Sequence, residues 1–192
     1  SLGLPIGPRV LTVARLDQPA VPATLAPGMA VPAALNGLGL VDEATLEAGG
    51  FGDISLVSRN YVRGTLGVPG KIRLGEGVAL SAPRRLSLLA SSIDGTGGTA
   101  RLAAPYLAFG NPDNVTQPAQ VLGALSSGPA RLEARADFID FIGNWQLNGW
   151  TSAAFSAAAD LRLRGVQVIN EPALATFSSG SLGTTGNLSF SA

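Results

Sequence analysis

The sequence predicts an all-β solenoid of short strands with at most one short helix, and three observations support this prediction. First, a pattern of apolar, polar and apolar residues recurs along the chain, as in Ile72–Leu74 (IRL) and Ala100–Leu102 (ARL). This alternation is typical of a strand that buries one face. Second, most copies follow a segment of turn-forming or small residues, such as Asp94–Gly98.

Third, the copies are spaced with an approximate period. Their first residues are Ile54, Ile72, Leu86, Ala100, Ala130, Leu161 and Leu188. The intervals are 18, 14, 14, 30, 31 and 27 positions, so the long ones are near twice the short ones. The long intervals contain further copies, such as Leu107–Phe109. A repeat of short strands indicates a solenoid, in which no unit buries its apolar face alone.

The composition narrows the possible functions. Charged residues make up 14% of the chain, against about 25% in typical domains. Thirteen basic and thirteen acidic residues balance, so we predict neither a nucleic-acid partner nor attraction to an acidic membrane. The absence of Cys excludes disulfides, Cys-ligated zinc and a thiol nucleophile, and the absence of His removes the commonest general base. We therefore expect no catalysis, no cofactor and no metal, and no membrane insertion because no apolar run is long enough.

The first 48 residues are predicted to form a Pro/Ala-rich extension. It holds one strand at Arg9–Leu16, a Pro-rich segment over residues 18–34, and a short helix at Val41–Ala48. Asp42 is the expected N-cap, and the glycines after Ala48 end the helix. Residues 49–192 are predicted to be a single solenoid. The tail stops within a repeat, so we expect that both ends are cuts in a longer protein.

Two segments carry a resemblance to a known family. Residues 49–58 (GGFGDISLVS) and 70–111 (GKIRLGEGVALSAPRRLSLLASSIDGTGGTARLAAPYLAFGN) resemble the filamentous haemagglutinin family of large bacterial exoproteins. Residues 129–165 match more loosely. The resemblance implies a right-handed parallel β-helix, secretion through a dedicated outer-membrane pore, and an adhesive or toxin-presenting rod at the bacterial cell surface. It brings no catalytic residues to this chain.

The middle residue of each copy faces outward on the predicted strand, and the arginines at these positions are candidates for ligand binding. The middle residues are Ser55, Arg73, Ser87, Arg101, Arg131, Arg162 and Ser189. If the copies stack in register, the four arginines form a ladder that suits sulfated or acidic glycans, since arginine forks pair with sulfate and carboxylate. The alternative is a solvated face in which the arginines alternate with acidic residues.

An aromatic cluster offers a second candidate. Phe138, Phe141, Trp145 and Trp150 lie within thirteen positions. The two tryptophans are predicted either to stack on a sugar or to fill a core that is otherwise built from small residues. Calcium binding through Asp137, Asp140 or the Asp113–Asn114 loop is a further alternative, although the ligands are few. On a strand, Asp137 and Asp140 would face opposite sides, which argues against an acid–base pair.

The favoured function is therefore a structural and adhesive rod that binds a host-cell or neighbouring-cell receptor or an acidic glycan. One alternative is a β-helical polysaccharide lyase or hydrolase, which needs converging carboxylates and a base. The other alternative is a passive stalk that presents a distal toxin or adhesin domain. The absence of His and the scattered acids count against the enzyme.

Overall fold

The computed structural model describes residues 8–16, 26, 28–30, 32–63, 66–111, 122–170, 174–178 and 181–192. These residues are mostly β-strand, with one short α-helix, α1 (Glu43–Ala48), and a 3-10 turn at Ala33–Leu35. The strands are β1 (Arg9–Ala14), β2 (Leu38–Asp42), β3 (Asp53–Ser58), β4 (Tyr61–Arg63), β5 (Leu66–Val68), β6 (Gly70–Leu74), β7 (Ala79–Ser81), β8 (Arg85–Ala90), β9 (Ser92–Gly95), β10 (Thr99–Ala103), β11 (Tyr106–Gly110), β12 (Ala130–Ile142), β13 (Asn144–Asn148), β14 (Trp150–Arg164), β15 (Val166–Asn170), β16 (Leu174–Ser178), β17 (Ser181–Thr184) and β18 (Asn187–Ser191). The all-β prediction is confirmed.

Two parallel sheets contain most of the strands. One sheet has six strands in the order β2–β1–β6–β9–β13–β17, which we call row A. The other sheet has eight strands and bends within β12, where the register shifts between Ala136 and Phe138. Its first half, row B, runs β7–β10–β12–β14–β18, and its second half, row C, runs β3–β8–β11–β12–β14.

The chain visits the rows in a fixed order. From β6 to β11 it passes through rows A, B and C twice, and each of β12 and β14 then runs through row B into row C without a break. Two antiparallel hairpins, β4–β5 and β15–β16, interrupt this order, and both follow a row C strand. Each strand of a row thus pairs with the strand of the same row from a neighbouring pass. This is what parallel pairing requires, because two parallel neighbours must be joined by a crossover connection.

The repeated pattern determines which side chains form the core. All seven copies lie in strands, and the apolar residues of the inner copies are buried, as with Ile72 and Leu74 in β6 and Leu86 and Leu88 in β8. Alternate residues point to opposite faces of a strand, so the polar middle residue faces away from this core. Ser87 departs from the expected exposure. It is fully buried, because the Arg85 side chain lies across it and donates from Nε to Ser87 Oγ at 3.1 Å.

The predicted short helix is confirmed, beginning two residues later than the sequence suggested. Asp42 is its N-cap, with Oδ2 accepting the backbone N–H of Thr45 at 3.2 Å. The helix lies beside β7, where the Glu47 carboxylate accepts the Ser81 backbone N–H at 2.7 Å. Among the described residues, no helix is long and apolar enough to cross a membrane.

Strands β1 and β2 precede the predicted boundary at residue 48 and pair within row A, where β1 lies between β2 and β6. The Pro-rich segment between them falls largely outside the described residues. At the other end of the rows, the second half of β14 in row C and β18 in row B each pair with a strand on one side only, as far as the described residues show. Leu163 is therefore 74% exposed and Phe190 52% exposed, although both continue inward apolar positions.

Candidate functional site

The four arginines of the predicted ladder lie on three different rows. Arg73 is in row A, opposite Thr12 and Asp94. Arg101 and Arg131 are both in row B, but Arg101 lies opposite Glu133 and Arg131 opposite Thr99, so they are two residues out of register. Arg162 is in row C, opposite Asp140. The arginines therefore do not form a ladder, because the sequence pattern repeats from row to row and not along one row.

Acidic side chains accompany two of these arginines. Arg101 Nε lies 3.3 Å from Glu133 Oε2 in an exposed ion pair. Arg162 Nε lies 2.6 Å from Asp140 Oδ1. This arrangement matches the alternative interpretation, a face in which arginines alternate with acids. The Arg101–Glu133 pair is exposed on both sides and contributes little to stability, typically about 0.2–1 kcal/mol.

The two tryptophans are core residues, and the prediction that they contact a sugar is wrong. Trp145 and Trp150 are each 1% exposed. The Trp145 ring stacks on Phe109 and Phe141 with centroids 5.9 and 5.7 Å apart. Trp150 Nε1 donates to the Ile93 carbonyl oxygen at 2.9 Å. A sugar needs an open aromatic face, and neither ring offers one, so these rings supply the bulk that the small-residue core requires.

The most unusual polar group of the described residues is Asp140, a fully buried carboxylate on the outward face of row C. Its two oxygens accept three short hydrogen bonds. Tyr106 Oη donates to Oδ2 at 2.6 Å, Arg162 Nε donates to Oδ1 at 2.6 Å, and Arg164 Nη1 donates to Oδ2 at 2.9 Å. A buried charge requires such partners, because an unpaired one would lose its hydration without compensation. We call these four residues the Asp140 cluster.

Three strands of row C position the cluster. Arg162 is directly opposite Asp140, whereas Tyr106 lies opposite Phe138 and reaches diagonally to Asp140. Arg164 reaches diagonally from the other side, since it lies opposite Ile142. Neighbouring strands in a sheet are about 4.8 Å apart, which long side chains span easily. The cluster therefore links β11, β12 and β14 across their outward face.

Electrostatics fix the protonation states in the cluster. Burial disfavours the charged form of Asp140, but the hydrogen bonds from Tyr106, Arg162 and Arg164 outweigh it and hold the pKa of Asp140 below its usual range. Burial, followed by the hydrogen bond to Asp140, raises the pKa of Tyr106. Asp140 is thus a carboxylate and Tyr106 a neutral phenol at neutral pH. Neither group is poised to exchange a proton there, as acid–base catalysis requires.

A second aromatic ring, Phe138, and a third arginine, Arg85, extend the cluster along row C. The Arg85 guanidinium lies over the Tyr106 ring, with Cζ 5.2 Å from the centroid, and Arg162 lies 5.9 Å from the centroid of Phe138. Such cation–π contacts attract a guanidinium to the ring face. Phe138 is 41% exposed. The outward surface of row C therefore combines open aromatic area with three guanidinium groups.

Asp137 belongs to a different feature. It is exposed and lines an open groove of about 570 Å³ at the bend between rows B and C. Three stacked corners form the groove: Ser81–Pro83, Ala103–Pro105 and Arg135–Asp137. Asp137 and Asp140 thus have separate surroundings. Within the described part of the chain, no group of three or more acidic side chains could hold a metal ion, and the Asp113–Asn114 loop lies outside it.

Sequence reasoning named Arg162 as a candidate for ligand binding and Asp140 only as an alternative calcium ligand, and it did not connect the two. The residues that bind Asp140 lie on two other strands, and they are separated from it by 34 residues for Tyr106, 22 for Arg162 and 24 for Arg164. Asp140 and Arg162 are 22 residues apart, which differs from the 31-residue interval between copies in this region, so the repeat did not point to the pair. The one local signal was a lone acidic residue between apolar neighbours, Ile139 and Phe141.

Comparisons with known proteins give no identification. The chain matches no protein-family model, and neither a curated protein nor a solved structure shows significant similarity to it. The resemblance to filamentous haemagglutinins therefore stays a prediction from the residues of segments 49–58 and 70–111.

Proposed function

We propose that this chain is a segment of a right-handed parallel β-helix and serves as a structural and adhesive rod of a secreted bacterial surface protein, without catalysis. The observation that carries the proposal is the cyclic order of the strands. The chain passes through rows A, B and C and returns to row A beside its earlier pass. Right-handedness follows the strong preference of parallel crossover connections.

The shared core supports the same architecture. Inward side chains from all three rows belong to one apolar cluster that includes Ile72 of row A, Leu102 of row B and Leu107 of row C. Each pass of the chain rests on its neighbours, which is the one-dimensional packing of a solenoid. A stack of this kind holds its outward side chains in fixed positions, and this rigidity suits a surface that attaches to another cell.

The protonation states support a non-catalytic role for the Asp140 cluster. Its carboxylate is already engaged by two guanidinium groups and a phenol. A polysaccharide lyase or hydrolase would need such a group to take or give a proton during the reaction. We propose instead that row C presents charged and aromatic side chains to an acidic glycan or a receptor, after export of the parent protein through an outer-membrane pore.

A passive stalk is the second candidate, because the ion pairs of Arg101 and Arg162 leave these arginines partly neutralised. A cell-attachment assay distinguishes the adhesive rod from the passive stalk. Beads coated with the native chain are compared with beads coated with the heat-denatured chain for binding to epithelial cells and to bacteria. We expect native beads to attach in larger numbers. Equal attachment would favour the passive stalk, and sugars released from the cells would favour the enzyme.

A further inference from the structure

Asp140 fixes two guanidinium groups side by side on the surface of row C. Arg162 and Arg164 are two residues apart on β14 and therefore point to the same face. Both bind Asp140, through Arg162 Nε and through Arg164 Nη1. Because Asp140 itself is fully buried, it holds the inner edge of each guanidinium against the sheet. The two guanidinium groups are pre-organised, so their side chains lose less conformational entropy when a ligand binds.

Each guanidinium has donors that Asp140 does not use. An arginine carries five N–H groups in a planar fork. Arg162 uses Nε and Arg164 uses Nη1, which leaves the Nε–Nη2 edge of Arg164 for a second carboxylate. The side chains of Arg162 and Arg164 are 47% and 58% exposed, so these donors reach solvent. Paired N–H groups of this kind bind a carboxylate through two parallel hydrogen bonds.

The neighbouring rings provide a surface for the apolar face of a sugar. Tyr106 and Phe138 lie opposite one another on adjacent strands, about 4.8 Å apart. Phe138 is 41% exposed and lies next to Arg162. An aromatic ring that is open on one side and flanked by hydrogen-bonding groups is a typical place for an amphipathic ligand to bind.

The charge balance selects among anionic ligands. Around the rings, Arg85, Arg162 and Arg164 carry three positive charges, and Asp140 and Asp160 carry two negative ones. Asp160 is exposed opposite Phe138 and is close enough to Arg162 to raise its pKa, after the larger effects of Asp140. Asp160 would repel a densely charged polyanion, and the local net charge of plus one would attract such a ligand only weakly. A ligand with isolated carboxylates and many hydroxyl groups fits better, because Asp160 accepts hydrogen bonds from hydroxyls.

We propose that the outward face of row C around Arg162, Arg164 and Phe138 is a binding site for an unsulfated, carboxylate-bearing polysaccharide. The sugar carboxylate binds the open edge of Arg164, its ring stacks on Phe138, and its hydroxyl groups donate to Asp160. This inference rests on the proposed adhesive function and specifies its ligand. Recognition depends on the geometry of a few groups, so binding is expected to weaken only modestly with salt.

The test uses the full 192-residue chain and a hyaluronan hexasaccharide, which carries glucuronate without sulfate. Its carboxyl-reduced form is the neutral control, and a heparin hexasaccharide is the densely sulfated control. Binding is measured by NMR chemical-shift titration at low and raised salt. We expect shifts confined to β12 and β14, binding of hyaluronan in preference to both controls, and about tenfold weaker binding by Arg164→Gln, because a charge-assisted pair of bonds is lost.

Arg131→Gln is the matched control variant, since it removes an exposed arginine from row B and leaves row C intact. Phe138→Ala tests the stacking contact, and circular dichroism verifies that each variant folds. The proposal is overturned by no binding, by equal binding of the carboxyl-reduced sugar, by preference for heparin with steep salt dependence, or by equal effects of the Arg164 and Arg131 variants. If native beads attach to cells but hyaluronan does not bind, this site fails while the adhesive rod stands. If hyaluronan binds but native beads do not attach to cells, the adhesive rod fails while this site stands.

Discussion

Replacing Asp140 by Asn tests whether the buried carboxylate links the strands of row C. The substitution preserves shape but removes the charge that accepts hydrogen bonds of 2.6, 2.6 and 2.9 Å. Hydrogen bonds to a charged group contribute about 1.5–3 kcal/mol each. Both arginine partners are about half exposed and regain water, and the amide oxygen still accepts from Tyr106. We therefore expect a net loss of about 2 kcal/mol in the free energy of unfolding.

The effect is measured by thermal and urea unfolding followed by circular dichroism. For a chain of this length, a loss of about 2 kcal/mol corresponds to a decrease in Tm of roughly 4–8 °C. The effect also depends on pH. Because the pKa of Asp140 is lowered in the folded state, its contribution is present above the ordinary Asp pKa and is lost as pH falls through the folded value. The stability gap between the two proteins should therefore close in acid.

Asp53→Asn is the control for this substitution. Asp53 pairs with Arg84 at 2.5 Å, but its side chain is 51% exposed, so we expect a change within about 0.5 kcal/mol. Equal effects of the two substitutions at neutral pH, or a gap that persists unchanged at pH 2, would refute the reasoning that the Asp140 charge stabilises row C.

Three further predictions concern the core and the Tyr106 phenol. Leu102→Ala should lower the free energy of unfolding by about 2–5 kcal/mol, because this leucine is 1% exposed. Leu163→Ala should change it by less than about 0.5 kcal/mol, because this leucine is 74% exposed. Similar losses for the two variants would contradict the assigned rows. Gly95→Ala should destabilise the protein by about 1–3 kcal/mol in urea unfolding, since the added methyl group would lie 2.6 Å from Ala130 Cβ. Gly97→Ala should be neutral, because its methyl group would have no described atom within 4 Å. In a spectrophotometric titration, Tyr106→Phe should remove a phenol that ionises above the usual range for tyrosine. The stability that Tyr106 contributes is kept below the ordinary tyrosine pKa of about 10 and is lost as pH rises through the higher pKa of the folded state. Removal of a phenol with an ordinary pKa would contradict this.

The sequence was sufficient to predict the strands that carry the recurring pattern and the inward face of each, because a period of two is a local property. It was also sufficient for α1, where Asp42 caps the helix and glycines end it. Which row a strand belongs to could not be predicted, since that depends on how many strands each pass contributes. Strand β12 shows the difficulty, because one continuous strand of 13 residues serves two rows.

The predicted arginine ladder is wrong for the same reason. Arg73 and Arg101 occupy equivalent positions in their copies, yet they lie on rows A and B. The arginines that do cooperate, Arg162 and Arg164, are neighbours on one strand and meet through Asp140. Asp140 could not be recognised as their partner, because its burial results from side chains that three passes of the chain bring together.

The proposed solenoid depends on strands from distant parts of the sequence being stacked in register, and spin-label distances test this directly. The chain contains no Cys, so pairs of introduced cysteines label cleanly. Asp53 and Asp160 are four strands apart in row C, and Ser81 and Ser191 are four strands apart in row B. At about 4.8 Å per strand, each pair should give a narrow distance distribution centred at about 19 Å, extended by the label linkers. Broad distributions, or distances far above this value for either pair, would contradict the stacked rows on which the rod and its binding face depend.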